Sequence, residues 1–160
     1  MRMFLVPFFI VFFKRGMKAA ALIFALAIVT DFLDGLIARL TDSRSDFGAM
    51  LDPLADKILI CTAFILFASR SMIPDWMVAT IISRDAVLIL AWITVFIVKN
   101  SIKVEVNFAG KLTTFFESTV VLLLLLGAPA ALTGHCLYIT VALAVVSMLI
   151  YIGRGIKKFG

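Results

Sequence analysis

Long apolar runs separated by short polar breaks make up most of the chain: Met3 to Phe13, Lys18 to Leu40, Gly48 to Ser71, Pro74 to Val98, Ala109 to Leu132 and His135 to Ile152. All but the first approach the roughly 20 residues a helix needs to cross a bilayer. The first, at 11 residues, falls short. None shows the alternation and regular turn spacing of a barrel, so helices are the only elements able to carry them through lipid. The pattern predicts an all-α integral membrane protein with six transmembrane helices, the first short or truncated, forming a single membrane domain over residues 1–160. Lys14-Arg15-Gly16 reads as the end of that first helix, and no small-residue cleavage site follows it as in a signal peptide. The turn Thr41 to Phe47 is expected to join the second and third helices as an antiparallel pair, with Asp42 and Asp46 solvated in it.

Composition sharpens this picture. The 160 residues are 63% hydrophobic with a mean hydropathy of +1.14, too apolar for a soluble domain and too short for several. The net charge of +5 comes from basic residues clustered at the ends of the runs, which points to topology and anionic lipid rather than to nucleic acid. With the N-terminus inside, Arg2, Arg39, Arg44, Lys99, Lys103, Lys111, Arg154, Lys157 and Lys158 fall on the cytoplasmic side, against Lys14, Arg15, Lys18 and Arg70 outside. That asymmetry places both termini in the cytoplasm. Cys61 and Cys136 sit in apolar runs without metal-ligand spacing and imply no redox chemistry.

Four aspartates interrupt the second and third runs. Asp31, Asp34, Gly35 and Ala38 are separated by helical intervals and share one face, as do Gly48, Asp52 and Asp56, which recur every four residues. Pro53 removes the hydrogen bond to the Ala49 carbonyl, so the third helix either kinks or begins at Asp52. Hydrocarbon tolerates ionised carboxylates only where they are paired, metal-bound or facing a wet cavity. Magnesium takes oxygen ligands, keeps several waters and is usually bound by a few carboxylates together with substrate phosphates. Two such ions would roughly cancel the four charges and leave positions for a pyrophosphate. Gly35 and Gly48 allow close approach of a ligand or backbone, and Arg39 is placed to meet a phosphate oxygen. This set of residue types points to a nucleotide diphosphate.

The stretch from Asp31 to Asp56 also resembles the signature D-x2-D-G-x2-A-R-x8-G-x3-D-x3-D of the CDP-alcohol phosphatidyltransferases, membrane enzymes of phospholipid synthesis. It matches at all eight fixed positions: Asp31, Asp34, Gly35, Ala38, Arg39, Gly48, Asp52 and Asp56. The resemblance implies that an alcohol hydroxyl attacks the lipid-side phosphorus of CDP-diacylglycerol and releases CMP. It implies two Mg2+ or Mn2+ ions on Asp31, Asp34, Asp52 and Asp56, with Asp56 as general base. Asp31, Gly35, Ala38, Arg39 and Gly48 would contact the CDP portion. A homodimer in the cell (inner) membrane is expected, with the active site toward the cytoplasm. Relatives usually carry a further segment, often with an Asn-x-Leu-Thr pattern, before the position of Arg2, so either Met1 is not the natural start or the first helix is unusual.

Arg84 and Asp85 lie well inside the fourth run, in I-S-R-D, and are functional candidates by their depth alone. Neighbouring residues do not face one another on a helix, so a mutual pair is not expected. Relatives have an arginine and a lysine in the places of Arg84 and Lys111, where they help to hold the acceptor's phosphate; Arg2 is the third cation of that set. Glu117 stands where relatives are expected to have glutamine. These cations resemble those of phosphatidylglycerophosphate synthases, which use glycerol 3-phosphate. Cardiolipin synthases share D-P-L-A-D-K-I-L and I-S-R-D almost verbatim, and their acceptor, phosphatidylglycerol, is also anionic. From another class, a small divalent-cation transporter would also keep membrane aspartates, but paired halves with broken helices are missing. The 15 phenylalanines read as packing and lipid-facing residues, Trp76 and Tyr151 as interfacial belt residues, and His135 as a residue of the outer boundary.

Overall fold

The structure is a computed structural model. It describes the backbone of residues 2–40, 46–99 and 108–159, and the side chains of 5–30, 33, 57–90, 93–94, 110–151 and 153. Among the described residues the chain is entirely helical, in six helices: α1 (Arg2–Arg15), α2 (Met17–Leu40), α3 (Asp46–Ser69), α4 (Asp75–Lys99), α5 (Phe108–Leu125) and α6 (Ala130–Phe159). The expected order and number of helices are recovered. One stretch, Ala130–Tyr151 in α6, is long and apolar enough to cross a membrane among the described residues; Met17–Thr30 and Lys57–Ser69 are shorter apolar stretches.

Several boundaries differ from the expected ones. The fifth run was expected to continue to Leu132, but α5 stops at Leu125. Gly127 takes a left-handed φ of 69°. There the Ala128 N–H donates to the Leu123 carbonyl at 2.9 Å and the Gly127 N–H to that of Leu124 at 3.2 Å. This is a Schellman closure, which satisfies the last carbonyls of a helix. Pro129 then supplies the carbonyl that receives the Thr133 N–H at 3.1 Å, and α6 starts at Ala130 instead of His135. His135 consequently lies inside α6, exposed, with Nδ1 against the Ala131 carbonyl. Hydropathy alone does not see this break, because every residue around it is apolar.

The third helix begins at Asp46, not at Asp52, and runs through Pro53; Asp46 therefore opens α3 instead of lying in the loop. Aspartate is favoured in a first helical turn by the exposed N–H groups there. The rest of the expected turn, residues 41–45, lies outside the described residues. At its far end α3 stops at Ser69, and the turn after it is closed like that of α5. The Met72 N–H donates to Phe67 at 3.0 Å and the Ser71 N–H to Ala68 at 2.8 Å, but a serine holds the left-handed position, at φ 54°.

The chain divides into two compact units. The first comprises Met1–Leu66 with Val121–Ala128, the second Phe67–Val120 with Pro129–Gly160. In the first, α1 packs on α2. The Phe9 and Phe24 rings lie 6.0 Å apart, Phe9 also meets Phe13 at 6.0 Å, and Ala20, Ala21 and Ala27 are buried. In the second, α4 packs on α6, and the buried set is partly polar: Arg84, Asp85, Thr113, Glu117, Thr133, Thr140 and Ser147. Many hydroxyls in these helices donate to the carbonyl four residues back, as Thr80 does to Trp76 at 2.8 Å, Thr114 to Gly110 at 3.2 Å and Thr140 to Cys136 at 2.7 Å. That bond satisfies a polar group without leaving the helix.

Candidate functional site

The backbone of α2 carries Asp31, Asp34, Gly35, Ala38 and Arg39 without interruption, and that of α3 carries Gly48, Asp52 and Asp56. The helical register expected from their spacing is therefore present: 31 and 34 lie about one turn apart, as do 52 and 56. The side chains of all eight motif residues, and that of Arg2, lie outside the described residues. As a donor set, four carboxylates spaced by helical turns on two helices fit a hard divalent cation that also binds phosphate oxygens. Among the described side chains, no group of three or more histidine, cysteine, aspartate or glutamate residues could hold a metal ion.

The second unit holds a buried charged junction among the described side chains. Arg84, on α4, is among the largest completely buried side chains of the described residues, at 1% exposure. Its Nη1 donates to Asp85 Oδ1 at 2.6 Å and faces Glu117 Oε1 at 3.9 Å. Its Nη2 donates to Ser147 Oγ at 3.1 Å and approaches the Gly110 carbonyl at 3.5 Å. Nε makes no hydrogen bond among the described residues. One guanidinium thus gathers partners from α4, α5 and α6. Arginine suits this position because its planar fork offers five donors and stays charged when buried.

The expectation that Arg84 and Asp85 would not pair is corrected by that 2.6 Å contact. The spacing rule concerns Cβ positions, and a long arginine can bend its fork back to a neighbour's carboxylate when burial leaves both with few alternatives. Lys111, expected with Arg84 at the acceptor's phosphate, follows Gly110 directly and is exposed. Glu117, noted in the sequence only as a departure from glutamine, joins the junction at 0% exposure. Gly110 and Ser147 were not anticipated. A Cβ at 110 would come within 3.4 Å of Arg84 Nη2 and 3.9 Å of Ser147 Oγ, so the small residue gives the guanidinium its room. A glycine beside a lysine at a helix start was the only signal available for one of them; a serine in an apolar run gave none for the other.

Comparison with known proteins follows the same lines. The family model described as CDP-alcohol phosphatidyltransferase matches residues 1–149. The chain is 36% identical over 108 residues to a protein of Bacillus subtilis named CDP-diacylglycerol--glycerol-3-phosphate 3-phosphatidyltransferase, covering 68% of this chain and 55% of that one. Proteins of the same name from Sodalis glossinidius and Escherichia coli are 32% identical over 164 residues and 37% identical over 123. The first of these covers 94% of this chain and 88% of the relative, the second 71% and 65%. The chain thus spans from about half to nearly nine-tenths of the length of these relatives.

Proposed function

The chain belongs to the CDP-alcohol phosphatidyltransferase family, and from that premise we propose that it transfers the phosphatidyl group of CDP-diacylglycerol to glycerol 3-phosphate and releases CMP. The observation that carries the reading is the complete eight-position motif, set in helical register on α2 and α3. The names of relatives at 32–37% identity support the acceptor.

In this reading the acceptor's hydroxyl oxygen forms a bond to the lipid-side phosphorus while the bond from that phosphorus to the CMP oxygen breaks. Asp56 takes the hydroxyl proton as general base. Asp31, Asp34, Asp52 and Asp56 would hold two divalent ions, Mg2+ or Mn2+. When bound, these supply neutralisation of the pyrophosphate and of the departing phosphate charge. Asp31, Gly35, Ala38, Arg39 and Gly48 orient the CDP portion. For the acceptor's phosphate we assign the cationic set Arg84, Lys111 and Arg2, of which Lys111 is the member whose described side chain is exposed. The whole of residues 1–160 acts as one membrane domain with six spans in the cell membrane, termini and active site toward the cytoplasm, and a homodimer as the working form. Cytoplasmic access suits a nucleotide-activated substrate.

The test is purified protein with CDP-diacylglycerol, Mg2+ or Mn2+, and each candidate alcohol. Metal-dependent CMP release with glycerol 3-phosphate alone is the expected result. Release only with phosphatidylglycerol would convert the reading to a cardiolipin synthase. Metal flux into vesicles without CMP release would replace it with a transporter.

A further inference from the structure

We infer that the turn between α1 and α2 binds an anionic phospholipid, whose phosphate meets Lys14, Arg15 and Lys18 while its acyl chains lie along the apolar stripes that end at them. These residues take no part in the reaction proposed above, and the inference needs only that the chain lies in a bilayer.

The geometry starts at the hairpin. Gly16 alone separates α1 from α2. Its N–H donates to the Phe12 carbonyl at 2.9 Å, and its carbonyl accepts the Ala20 N–H at 3.1 Å. The contact of Phe9 with Phe24 at 6.0 Å shows the two helices folding back on each other from that point. All three cations therefore sit at one tip, within five residues. Their register adds to this. On α1 the exposed residues Phe8, Val11 and Arg15 follow one another at helical intervals, with exposed Lys14 beside Arg15. On α2 the exposed residues Lys18, Leu22 and Leu26 recur every four positions. Each helix thus presents an apolar stripe that ends in positive charge at the tip. An anionic lipid has the complementary outline, apolar in its chains and negative at its head. The Arg15 guanidinium lies 5.5 Å from the centre of the Phe12 ring, which keeps its charge close to the apolar body of the hairpin.

Charge completes the argument. No aspartate or glutamate occurs before Asp31, and among the described residues none of the three cations forms an ion pair. Orientation does not account for them, since the proposed topology puts this tip on the outer side, where basic residues are disfavoured. A lipid phosphate supplies the missing counter-charge.

Fluorescence quenching tests this. In a Trp76→Phe, Trp92→Phe background, Val11→Trp puts one reporter on the α1 stripe. The full chain is reconstituted in phosphatidylcholine vesicles in which brominated phosphatidylserine or brominated phosphatidylcholine replaces a fixed fraction of the lipid. Phosphatidylserine is anionic and is neither the proposed donor nor a candidate acceptor. It should associate at the reporter at least about tenfold more strongly than phosphatidylcholine, because each basic residue near a membrane surface contributes about fivefold. Lys14→Gln, Arg15→Gln and Lys18→Gln together should bring that ratio to within about twofold of unity. The exchange Lys14→Arg, Arg15→Lys and Lys18→Arg keeps the charge and should keep the preference, with circular dichroism as the check on folding in both variants. A second reporter, Tyr138→Trp, stands in a stretch of α6 without lysine or arginine and should show no more than about twofold preference. Equal quenching by the two lipids at Val11→Trp would overturn the inference and leave the cations as anchors for any headgroup. So would a preference that survives the three glutamines, one lost in the charge-keeping exchange, or one equally strong at Tyr138→Trp. CMP release does not enter the readout, so this site and the proposed reaction fail independently.

Discussion

In the α1–α2 contact the rings of Phe9 and Phe24 meet at 6.0 Å beside buried alanines, whereas the buried residues where α4, α5 and α6 meet include Arg84, Asp85, Glu117 and Ser147. Both assemblies are tightly closed, yet they hold by different means. The first contact joins apolar side chains that make no directional bonds, and it depends on shape and close packing. Such a surface tolerates small shifts. The second is made of directional bonds between groups that cannot be left alone in a dry interior, so it accepts one register. Adhesion belongs to the first and positioning to the second, while the chemistry is assigned to the aspartates of α2 and α3.

The largest effect should come from separating chemistry from positioning. Asp56→Asn should lower turnover by on the order of 10²–10⁴ with binding of CDP-diacylglycerol and the acceptor KM little changed, read by CMP release and by equilibrium binding of the CDP-lipid. Near-normal turnover would remove the base assignment.

Next in size is the junction. Arg84→Met should cost about 3–5 kcal/mol in detergent unfolding, because it removes the buried cation that faces two buried carboxylates. Adding Asp85→Asn and Glu117→Gln to the same chain should recover much of that loss. Failure to recover any of it would mean that the arginine contributes packing alone.

In the apolar contact, Phe24→Ala should cost about 3 kcal/mol by leaving a cavity, without altering the acceptor KM. A raised acceptor KM in that variant would break the contrast between the two assemblies.

The smallest effect concerns two helix ends closed in the same way. Ser71, at φ 54°, holds the left-handed position that Gly127 holds at φ 69°. Ser71→Gly should gain about 0.5–1 kcal/mol and Gly127→Ala lose about 1 kcal/mol, since a Cβ strains that conformation. A loss of stability in Ser71→Gly as well as in Gly127→Ala would show that the two turns are not equivalent.

Much of this molecule was legible in one dimension. The lengths of the apolar runs fixed six helices in order, because helix formation in an apolar segment is governed by near neighbours and by the need to satisfy every backbone group internally. The spacing of Asp31, Asp34, Asp52 and Asp56 likewise set their helical register, since that register is a property of the backbone between them. The position of Arg84 in an apolar run marked it as exceptional. Its partners were another matter. Gly110 is 26 residues away and Ser147 is 63. Gly110 carried only the weak mark of a glycine beside a lysine at a helix start and Ser147 none, because a small residue in an apolar run acquires a role only from what another helix presses against it. The Arg84–Asp85 pair was misjudged for a related reason: Cβ spacing describes an isolated helix, whereas burial among α5 and α6 decides where a long side chain folds. Local periodicity belonged to the sequence, and the company each buried charge keeps belonged to the packing, because directional bonds between distant segments exist only once those segments have met.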